Sequence, residues 1–464
     1  MSFTERYTKV FQYIMPSPLT IALVLTILTY FIALLYTQPN DKNLAEYSLI
    51  LLDYWEKGLW QESLMVFAMQ MMLILVLGHV IALSPFVNRF LNQMVKNIDN
   101  TAQAAFIVSI LTIAVALFNW GLGLIFGAIF ARKVGEHAQK QQLKINYPLI
   151  GAAGYIGLMV WHGGISGSSL TKVAEVAHLK QMMQGIFSAE EIAMLPQQIT
   201  FSETVFSNMN IYTTVLIIIL LPCVFYLIGK QAKGEIPQLQ IKNNEVRIQK
   251  KNVKGAAQLD YSKTFALMLA TTILFWSIYT ATVQSVNAPL GFITPNYLNF
   301  VLLGLGILLH GNFHNFINAI DKSIGGAAGI LIQFPFYFGI MAIMKDSGLI
   351  SDISALFIDI SNKTTYPIFT MLSAGIINIF VPSGGGQWAV QGPILVQASQ
   401  ILGADLPKSI LALAYGDQLT NMLQPFWALP LLGITGLKAK EILPYALLLM
   451  FVGTAIYLSA LLLF

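Results

Sequence analysis

Four short stretches rich in glycine and small polar residues interrupt otherwise apolar sequence, and they are the best candidates for chemistry. They cover residues 119–123, 161–169, 382–388 and 417–427. Glycines leave backbone N–H groups open, and a helix that starts after an interruption carries partial positive charge at its N-terminus. Hydroxyl and amide side chains add further polar ligands. The stretches together predict a site for a small anion, with tight helix packing as the alternative for each one.

The candidate substrate-binding residues are the polar, glycine and tryptophan positions of these stretches, plus one glutamine elsewhere. They are Asn119, Trp120, Gly121, Gly123, Trp161, Gly163, Gly164, Ser166, Ser168, Gln333, Ser383, Gly384, Gly385, Gly386, Gln387, Trp388, Gln424 and Trp427. A tryptophan lies in each interruption, so the four rings are candidates for an apolar wall beside a polar cradle, or for interfacial aromatics. Gln333, like Gln70, is a candidate ligand or a contact between helices.

The charges of the four stretches point to a co-bound cation or proton. They contain no Arg or Lys, so backbone dipoles, a proton or a cation must balance an anion bound there. The candidate coupling residues are Asp417, Asn421, Asn119 and His162. A carboxylate inside the membrane is a functional candidate by default, and histidine titrates near neutral pH. The alternatives are a wet position near a helix end for Asp417 and a packing role for His162.

The composition indicates what kind of molecule positions these residues. Of 464 residues, 56% are apolar and 10% are charged, against about 25% charged in a soluble domain. The sequence therefore predicts an all-α polytopic membrane protein in contact with the lipid bilayer. A net charge of +4 is too small to indicate nucleic-acid binding, and a single cysteine, Cys223, excludes a disulfide within the chain. The sequence contains no phosphate-binding loop that would indicate a soluble cofactor. The candidate co-transported ions are H⁺ and Na⁺.

About nine transmembrane helices and two re-entrant hairpins account for the apolar segments and the loop charges. The predicted helices are 18–36, 62–84, 147–170 (broken), 204–229, 264–286, 297–310, 324–345, 409–436 (broken) and 442–464, and the hairpins are 102–131 and 366–401. The run 18–36 is a span and not a cleaved signal, because its apolar core is too long. Segment 230–263 carries eight Lys/Arg against three acids and is predicted to be cytoplasmic, as is the basic segment 132–146. The acidic segments 37–62 and 171–203 are predicted outside.

The two halves of the chain resemble each other in the order of their predicted elements. Residues 1–229 form the first half, 230–263 the cytoplasmic linker and 264–464 the second half, which has an extra span. An offset of 263 residues pairs Gly121 with Gly384. The loop charges predict that the first hairpin opens inward and the second outward. Inverted repeats with broken helices are typical of secondary transporters.

The interruptions and their flanks resemble the bacterial short-chain fatty acid transporter family. The resemblance lies in residues 119–124, 163–168, 332–337, 381–388, 391–393, 414–418 and 424–430. It implies uptake of short-chain fatty acids such as butyrate or acetoacetate across the bacterial inner membrane. The family is similar to a wider ion-transporter superfamily, which implies elevator-like motion and a homodimer. In the family the position of His162 can be Gly, that of Gln387 His and that of Asp417 Glu, so acidity at Asp417 is kept.

The resulting hypothesis is a cation-coupled carrier of a monocarboxylate, and three alternatives stand beside it. A short fatty acid with a pKa near 4.3 is almost entirely an anion at pH 7, and the anion is what needs a carrier. A carrier of dicarboxylates would need more positive partners than the interruptions contain. An intramembrane serine protease would use Ser166 as nucleophile and His162 as base. A passive channel would not accumulate its substrate against a gradient.

Overall fold

The computed structural model describes residues 3–239, 254–284, 292 and 294–464, and these residues are almost entirely helical. The α-helices of the first half are α1 Phe3–Ile14, α2 Pro18–Tyr36, α3 Leu44–Leu59, α4 Glu62–Leu83, α5 Pro85–Val95, α6 Thr101–Phe118, α7 Trp120–Lys140, α8 Tyr147–Tyr155, α9 Ser168–Val173, α10 His178–Met182, α11 Ala189–Met194 and α12 Asn208–Gln231. Those of the second half are α13 Lys263–Tyr279, α14 Pro295–His310, α15 Phe313–Ser323, α16 Ala328–Asp346, α17 Leu349–Asp359, α18 Tyr366–Phe380, α19 Gly384–Leu402, α20 Leu406–Thr420, α21 Pro425–Thr435 and α22 Ala439–Leu463. Within the described ranges, β-structure is limited to two isolated bridges.

Eight helical segments in the described residues are long and apolar enough to cross a membrane. They are Pro18–Tyr36, Glu62–Leu83, Thr101–Phe118, Tyr147–Val173, Asn208–Gln231, Lys263–Gln284, Phe313–Asp346 and Ala439–Leu463. Seven of them coincide with predicted spans, and the eighth, α6, is the first arm of the predicted hairpin 102–131. The predicted span 297–310 is α14, which has 16 residues and rises only about 24 Å. The predicted span 324–345 is the second part of a longer segment, because α15 and a 3₁₀ turn precede α16.

Both predicted broken helices are interrupted in the structure. In the first, α8 passes into the 3₁₀ turns Ile156–Met159 and Trp161–Gly163, and the chain becomes extended at Gly164 before α9 begins. In the second, α20 passes into the 3₁₀ turn Asn421–Leu423, and α21 begins after an extended Gln424. Proline at the first position of α21 suits this restart, because a helix leaves the first N–H without an internal acceptor.

The two hairpins have tips of the same local construction. Asn119 separates α6 from α7 with φ −151° and ψ 125°, and Ser383 precedes α19 with φ −152° and ψ 102°. Each side chain accepts a hydrogen bond from the N–H three residues later, Leu122 at 3.0 Å and Gly386 at 3.2 Å. Each tip is therefore an extended residue that also caps the second helix of its hairpin.

The predicted end of the first hairpin at residue 131 is wrong, because α7 continues to Lys140. Arg132 and Lys133 indicated a basic loop in the sequence, but both lie inside the helix. Arg132 Nε lies 3.0 Å from Glu136 Oε1, and Lys133 Nζ lies 2.8 Å from Glu136 Oε2. Lys133 Nζ also donates to Asn88 Oδ1 on α5 at 2.7 Å. Local pairing of the charges lets the helix extend through them.

The order of elements in the two halves is alike. A long helix (α4, α16) is followed by an 11-residue helix (α5, α17), a helix pair (α6–α7, α18–α19), an interrupted helix and a long last helix (α12, α22). This order agrees with two repeats, and their opposite orientation stays a prediction. Residues 240–253 of the predicted linker and residues 285–286 of the predicted span 264–286 lie outside the described residues.

Glycines bring each hairpin close to the broken helix of its own half. A Cβ atom added to Gly127 on α7 would lie 2.1 Å from the carbonyl oxygen of Gly154 on α8. A Cβ atom added to Gly416 on α20 would lie 2.1 Å from the carbonyl oxygen of Met371 on α18. Contacts this close require glycine, as is common where helices pack inside membranes. The hairpins and broken helices thus form the part of the fold that holds the candidate site.

Candidate functional site

The tips of both hairpins meet on one segment, the start of α9 and the turns before it. The backbone N–H of Trp120, at the first tip, donates to Ser166 Oγ at 3.1 Å. At the second tip, a Cβ atom added to Gly384 would lie 3.0 Å from both the Trp161 and His162 rings, and 3.2 Å from Ser168 Oγ. The structure therefore brings both hairpin tips to Trp161–Ser168, and the fourth predicted interruption joins them there through Asp417, which lies 3.3 Å from His162.

The first turn of α19 presents open backbone donors beside this segment. Gly384 and Gly385 are its first two residues, whose N–H groups have no acceptor within a helix. The Gly386 N–H is used by the Ser383 cap. A Cβ atom added to Gly385 would meet no atom within 4 Å, so unfilled space lies beside this turn. Helix N-termini of this kind bind anions through N–H groups and the helix dipole.

Asp417 and His162 form a buried pair at the centre of the site. Asp417 lies in α20 with a relative exposure of 1%, and His162 is fully buried. Asp417 Oδ1 and His162 Nδ1 are 3.3 Å apart but are not aligned as a hydrogen bond. The alternative of a wet, exposed position for Asp417 is wrong.

A backbone contact identifies the nitrogen of the His162 ring that accepts a hydrogen bond. The Ser169 N–H, in the first turn of α9, donates to His162 Nε2 at 3.1 Å. A backbone N–H only donates, so Nε2 accepts and the proton of the neutral ring resides on Nδ1, facing Asp417. His162 Nδ1 thus faces the carboxylate, 3.3 Å from Asp417 Oδ1.

Ser169, His162 and Asp417 are arranged in the order of a hydrolase triad, but they lack its function. Ser169 Oγ lies 3.1 Å from His162 Nε2, yet the Ser169 N–H donates to the same nitrogen. Ser169 is fully buried, so no substrate carbonyl can reach its hydroxyl. Ser166, the nucleophile of the protease alternative, accepts a hydrogen bond from Trp120 instead. The three side chains are suited to hold the Asp417 carboxylate in place.

Gln418, next to Asp417, joins the two broken helices and was not among the predicted site residues. Its Oε1 accepts from the N–H groups of His162 at 2.8 Å and Gly163 at 3.1 Å. Its Nε2 donates to Tyr457 Oη at 2.9 Å. The Gly163 N–H is therefore engaged within the protein and is not open to a ligand. A polar residue in the middle of an apolar span was the only signal in the sequence.

A second amide cluster surrounds the interruption of α20. Asn378 on α18, also missed in the sequence, has its Nδ2 2.6 Å from the Asp417 carbonyl oxygen and 2.9 Å from Asn421 Oδ1. Asn421 Nδ2 donates to the Leu158 carbonyl at 3.1 Å. Gln424 Nε2 donates to the Asn378 carbonyl. These bonds tie the second hairpin to both broken helices.

Several buried oxygens near this cluster lack a hydrogen-bond donor in the described part of the chain. They are Asp417 Oδ2, Asn378 Oδ1 and Gln424 Oε1. Buried acceptors are normally paired, so oxygens left without donors suit a cation, or a proton in the case of Asp417. Among the described residues, no group of three or more His, Cys, Asp or Glu side chains could hold a metal ion. The oxygens available to a cation are therefore amide oxygens and a single carboxylate.

Three of the four predicted tryptophans form one aromatic cluster, and the fourth lies elsewhere. The Trp120 ring centroid is 5.8 Å from that of Trp161 and 5.2 Å from that of Trp427. Phe67, which the sequence did not single out, is 6.2 Å from Trp427. Trp388 instead donates its indole N–H to Nε2 of His178, the first residue of α10, at 3.1 Å. Trp388 was expected to line a pocket for the substrate tail, but in the structure it bonds α19 to His178.

The remaining predicted residues have packing contacts in the structure. Gly123 lies against the Ala116 backbone, and Gly164 against the Leu117 carbonyl. Gln387 Nε2 donates to the Ala374 carbonyl and to Gln391 Oε1, both at 2.9 Å.

The two glutamines outside the interruptions differ in their contacts. Gln70 Nε2 donates to Asn296 Oδ1 at 2.8 Å, which makes it a contact between α4 and α14. Gln333 Oε1 has no donor in the described residues, so Gln333 stays a candidate ligand.

Comparison with known proteins identifies the family. A family model described as short chain fatty acid transporter matches residues 1–464. The chain belongs to this family. It is 35% identical over 456 residues to an Escherichia coli K12 protein, covering 97% of this chain and 96% of the relative. It is also 35% identical over 443 residues to a Haemophilus influenzae protein, covering 93% of each. Both relatives are named, provisionally, as short-chain fatty acid transporters.

Two solved structures are similar over nearly the whole length but only distantly. They are the Alcanivorax borkumensis YdaH transporter, with 14% identity, 97% coverage of both chains and a TM-score of 0.44, and Neisseria gonorrhoeae MtrF, an antimetabolite efflux pump with 15% identity, 98% and 97% coverage and a TM-score of 0.42. These values carry no conclusion about the present chain. As a member of the short-chain fatty acid transporter family, the protein is a transporter and not an enzyme. The serine-protease alternative is therefore wrong. With its apolar helices, it is a multi-pass protein of the inner membrane.

Proposed function

We propose that this protein moves short-chain monocarboxylates such as butyrate or acetoacetate across the bacterial inner membrane by secondary active transport coupled to H⁺ or Na⁺. The observation that carries the proposal is the meeting of both hairpin tips at Trp161–Ser168, beside the buried Asp417. A single site thus combines open N–H groups, an aromatic wall and a carboxylate.

The carboxylate of the substrate binds at the N-terminus of α19. The N–H groups of Gly384 and Gly385 belong to the first turn of α19, and Ser168 Oγ would lie 3.2 Å from a Cβ atom added to Gly384. These groups are neutral, so the helix dipole supplies the attraction for the anion. Unfilled space beside Gly385 leaves room for the two carboxylate oxygens.

The aliphatic tail lies against the aromatic cluster. Trp161 connects the two parts of the site, since its ring stacks on His162 with centroids 4.5 Å apart and also contacts Trp120. A tail of two or three carbons gains about 0.8 kcal/mol for each methylene removed from water. Sensitivity to chain length is therefore expected at Trp161 and Trp427, and not at Trp388.

Asp417 couples the movement of the anion to a cation. The substrate anion and an ionised Asp417 repel each other in a dry site, so the pair is bound together only when the Asp417 charge is neutralised. A proton on Oδ2 neutralises the carboxylate directly. A Na⁺ ion held by Asp417, Asn378 and Gln424 oxygens has the same effect.

The transport movement is proposed to be elevator-like. The proposed assembly is a homodimer in which each subunit contains two inverted repeats. The hairpins and broken helices are bonded to one another through Gln418, Asn378 and Asn421, which favours their moving as one body. A dicarboxylate remains the second candidate substrate. Its second charge would lack a cationic partner, because the four interruptions contain no Arg or Lys.

The test is uptake of labelled butyrate by proteoliposomes that contain the purified protein. A proton gradient and a Na⁺ gradient are imposed separately, with succinate as the dicarboxylate competitor. Accumulation under one gradient supports the proposal and identifies the coupling ion. Equilibration without accumulation would indicate a channel, and absence of uptake under both gradients would contradict the proposed substrate.

A further inference from the structure

A cavity of about 560 Å³ lies apart from the hairpin tips, between the turns that precede three helices. Glu203 and Ser207 line it from the turn before α12, Lys363 from the turn before α18, and Asp405 and Lys408 from the start of α20. This volume is within the usual range of small-molecule sites. The cavity takes no part in the site described above.

The two carboxylates of the cavity are engaged by backbone groups, and the two ammonium groups are not. Glu203 Oε2 accepts from the Thr200 N–H at 2.8 Å and from Thr200 Oγ1 at 2.7 Å. Asp405 Oδ1 accepts from the Lys408 N–H at 2.7 Å, as the N-cap of α20. Within the described residues, the Lys363 and Lys408 side chains form no ion pair. The cavity therefore contains two ammonium groups without an ion pair, beside two carboxylates that are each hydrogen-bonded through one oxygen.

The cavity is connected to the proposed transport site along two helices. Lys408 lies nine residues before Asp417 on α20, about 14 Å along the axis. On α12, Asn210 lies three residues beyond Ser207 and donates to the Gly163 carbonyl at 2.8 Å. Apolar Met209 and Leu411 line the cavity between these points.

We infer that this cavity is an entrance vestibule, in which Lys363 and Lys408 bind the carboxylate of an incoming anion before it reaches the hairpin tips. The inference rests on the proposed function. The lining has equal numbers of lysines and acids, so the attraction acts at short range, through direct pairing of an ammonium group with the incoming carboxylate. Loop charges predict that the vestibule opens to the outside, so it serves uptake and not export.

The first test measures initial butyrate uptake by right-side-out vesicles containing K363Q, K408Q or the double variant. At low salt we expect the double variant to raise KM about 3- to 10-fold with little change in kcat, because each ammonium–carboxylate contact is weak and solvent-exposed. At about 0.5 M salt the difference from wild type should shrink, since screening removes the attraction. K42Q is the matched control, because Lys42 is an exposed lysine of another loop with the same predicted side.

An unchanged KM in the double variant, while the wild type takes up butyrate, would overturn the vestibule and leave the proposed function standing. Absence of uptake by the wild type would instead count against the proposed function.

A second test does not depend on transport. In a protein with Cys223 replaced by serine, K363C is labelled with an anionic methanethiosulfonate reagent that carries a sulfonate group. The labelling rate of K363C is compared with that of K363C/K408Q. Lys408 should speed labelling several-fold, and butyrate should slow it while neutral butyramide does not. Equal labelling rates, or equal effects of butyrate and butyramide, would overturn the inference.

Discussion

At the scale of single residues, the surroundings of Asp417 determine where a proton can be carried. Its Oδ1 faces His162 Nδ1, and its Oδ2 has no donor among the described residues. The Ser169 N–H occupies His162 Nε2, so His162 can take up a second proton only by losing that hydrogen bond. Protonation of Asp417 breaks no hydrogen bond at all. Under the proposed function, this favours Asp417 over His162 as the residue to test for proton coupling.

Replacement of Asp417 by asparagine should uncouple transport. D417N keeps the shape of the side chain but removes the charge that a proton or Na⁺ balances. We expect accumulation driven by an ion gradient to fall at least ~10-fold, while exchange of butyrate for butyrate persists. Proteoliposome uptake measures both. D352N, at an exposed position on α17, is the control, and wild-type accumulation in D417N would refute the coupling role.

Removal of the Ser169 hydroxyl should leave transport nearly intact. S169A retains the backbone N–H that fixes the His162 ring, so we expect uptake within about twofold of wild type, in line with the modest net value of one hydrogen bond. Initial uptake rates provide the measurement. H162A, which removes the N–H directed at Asp417, should lose accumulation. Complete inactivity of S169A would show that the hydroxyl itself acts in the cycle.

Acidification should loosen the loop between α9 and α12. The Trp388 indole can only donate, so His178 must be neutral to accept its hydrogen bond. Burial lowers the pKa of His178 from its ordinary 6.5, outweighing Glu175, which raises it, while Lys172 lowers it further. The bond is thus fully present above pH 6.5 and is lost as pH falls below that value through the lowered pKa.

Hydrogen exchange of the loop, compared with H178Q at each pH, tests this expectation. Glutamine can accept the indole N–H without titrating, so the variant should lack the additional opening that the wild-type loop shows at acidic pH. An equal pH response in both proteins would exclude His178 as the cause.

Residue types in the sequence predicted some residues of the site and not others, and the reason is geometric. Asp417 and His162 stood out because charged and titratable groups are rare inside spans. Gln418 and Asn378 did not, because their roles depend on contacts across the fold. Gln418 bonds to a residue 256 positions away, and Asn378 to one 39 positions away. Such pairs follow from helix packing, which one sequence does not specify.

At the scale of elements, the first turn of α19 is the most constrained part of the site. A Cβ atom on Gly384 would be 3.0 Å from two rings, whereas one on Gly385 would enter open space. G384A should therefore lower the Tm of the protein, because Trp161 or His162 must shift. G385A should leave Tm unchanged and instead weaken butyrate binding, since its methyl group occupies the proposed substrate space.

Thermal unfolding and butyrate affinity, measured on both variants, separate these effects. Equal losses of Tm would show that the space beside Gly385 is not open. An unchanged affinity in G385A would place the carboxylate elsewhere.

Element boundaries followed from the sequence where polarity changed sharply and failed where charges were paired locally. The interruptions at 161–169 and 417–427 were predicted because glycine, proline and polar residues replace apolar ones. The end of the first hairpin was misplaced because Arg132 and Lys133 read as loop charges, whereas Glu136 pairs with both inside α7.

At the scale of the whole molecule, binding of substrate should stabilise the protein as a unit. A ligand that binds the native state at ~100 times its Kd contributes about 2.7 kcal/mol. We expect butyrate to raise Tm in the presence of the coupling ion, and butyramide to have no effect because it lacks the charge that the α19 N-terminus attracts. Detergent-solubilised protein in a melting assay is sufficient. Equal shifts with both compounds would exclude recognition of the carboxylate.

The global architecture was the most predictable level, because composition and hydropathy act over the whole length. The scarcity of charge predicted a polytopic helical protein, and most predicted spans coincide with apolar helices. The sequence predicted that the interruptions share one site, but the individual contacts between the tips and the start of α9 were not predictable, since they depend on how the halves dock. The docking is visible only in contacts such as those of Gly384 with Trp161.

The bridge from Gln418 to the amides of His162 and Gly163 has a mechanical consequence. It joins α20, just before its interruption, to the 3₁₀ turn that interrupts the other broken helix. A gate that parted these helices would break the bridge and leave three buried polar groups without partners. A transport cycle that keeps the bridge intact must move both broken helices together, as one rigid unit.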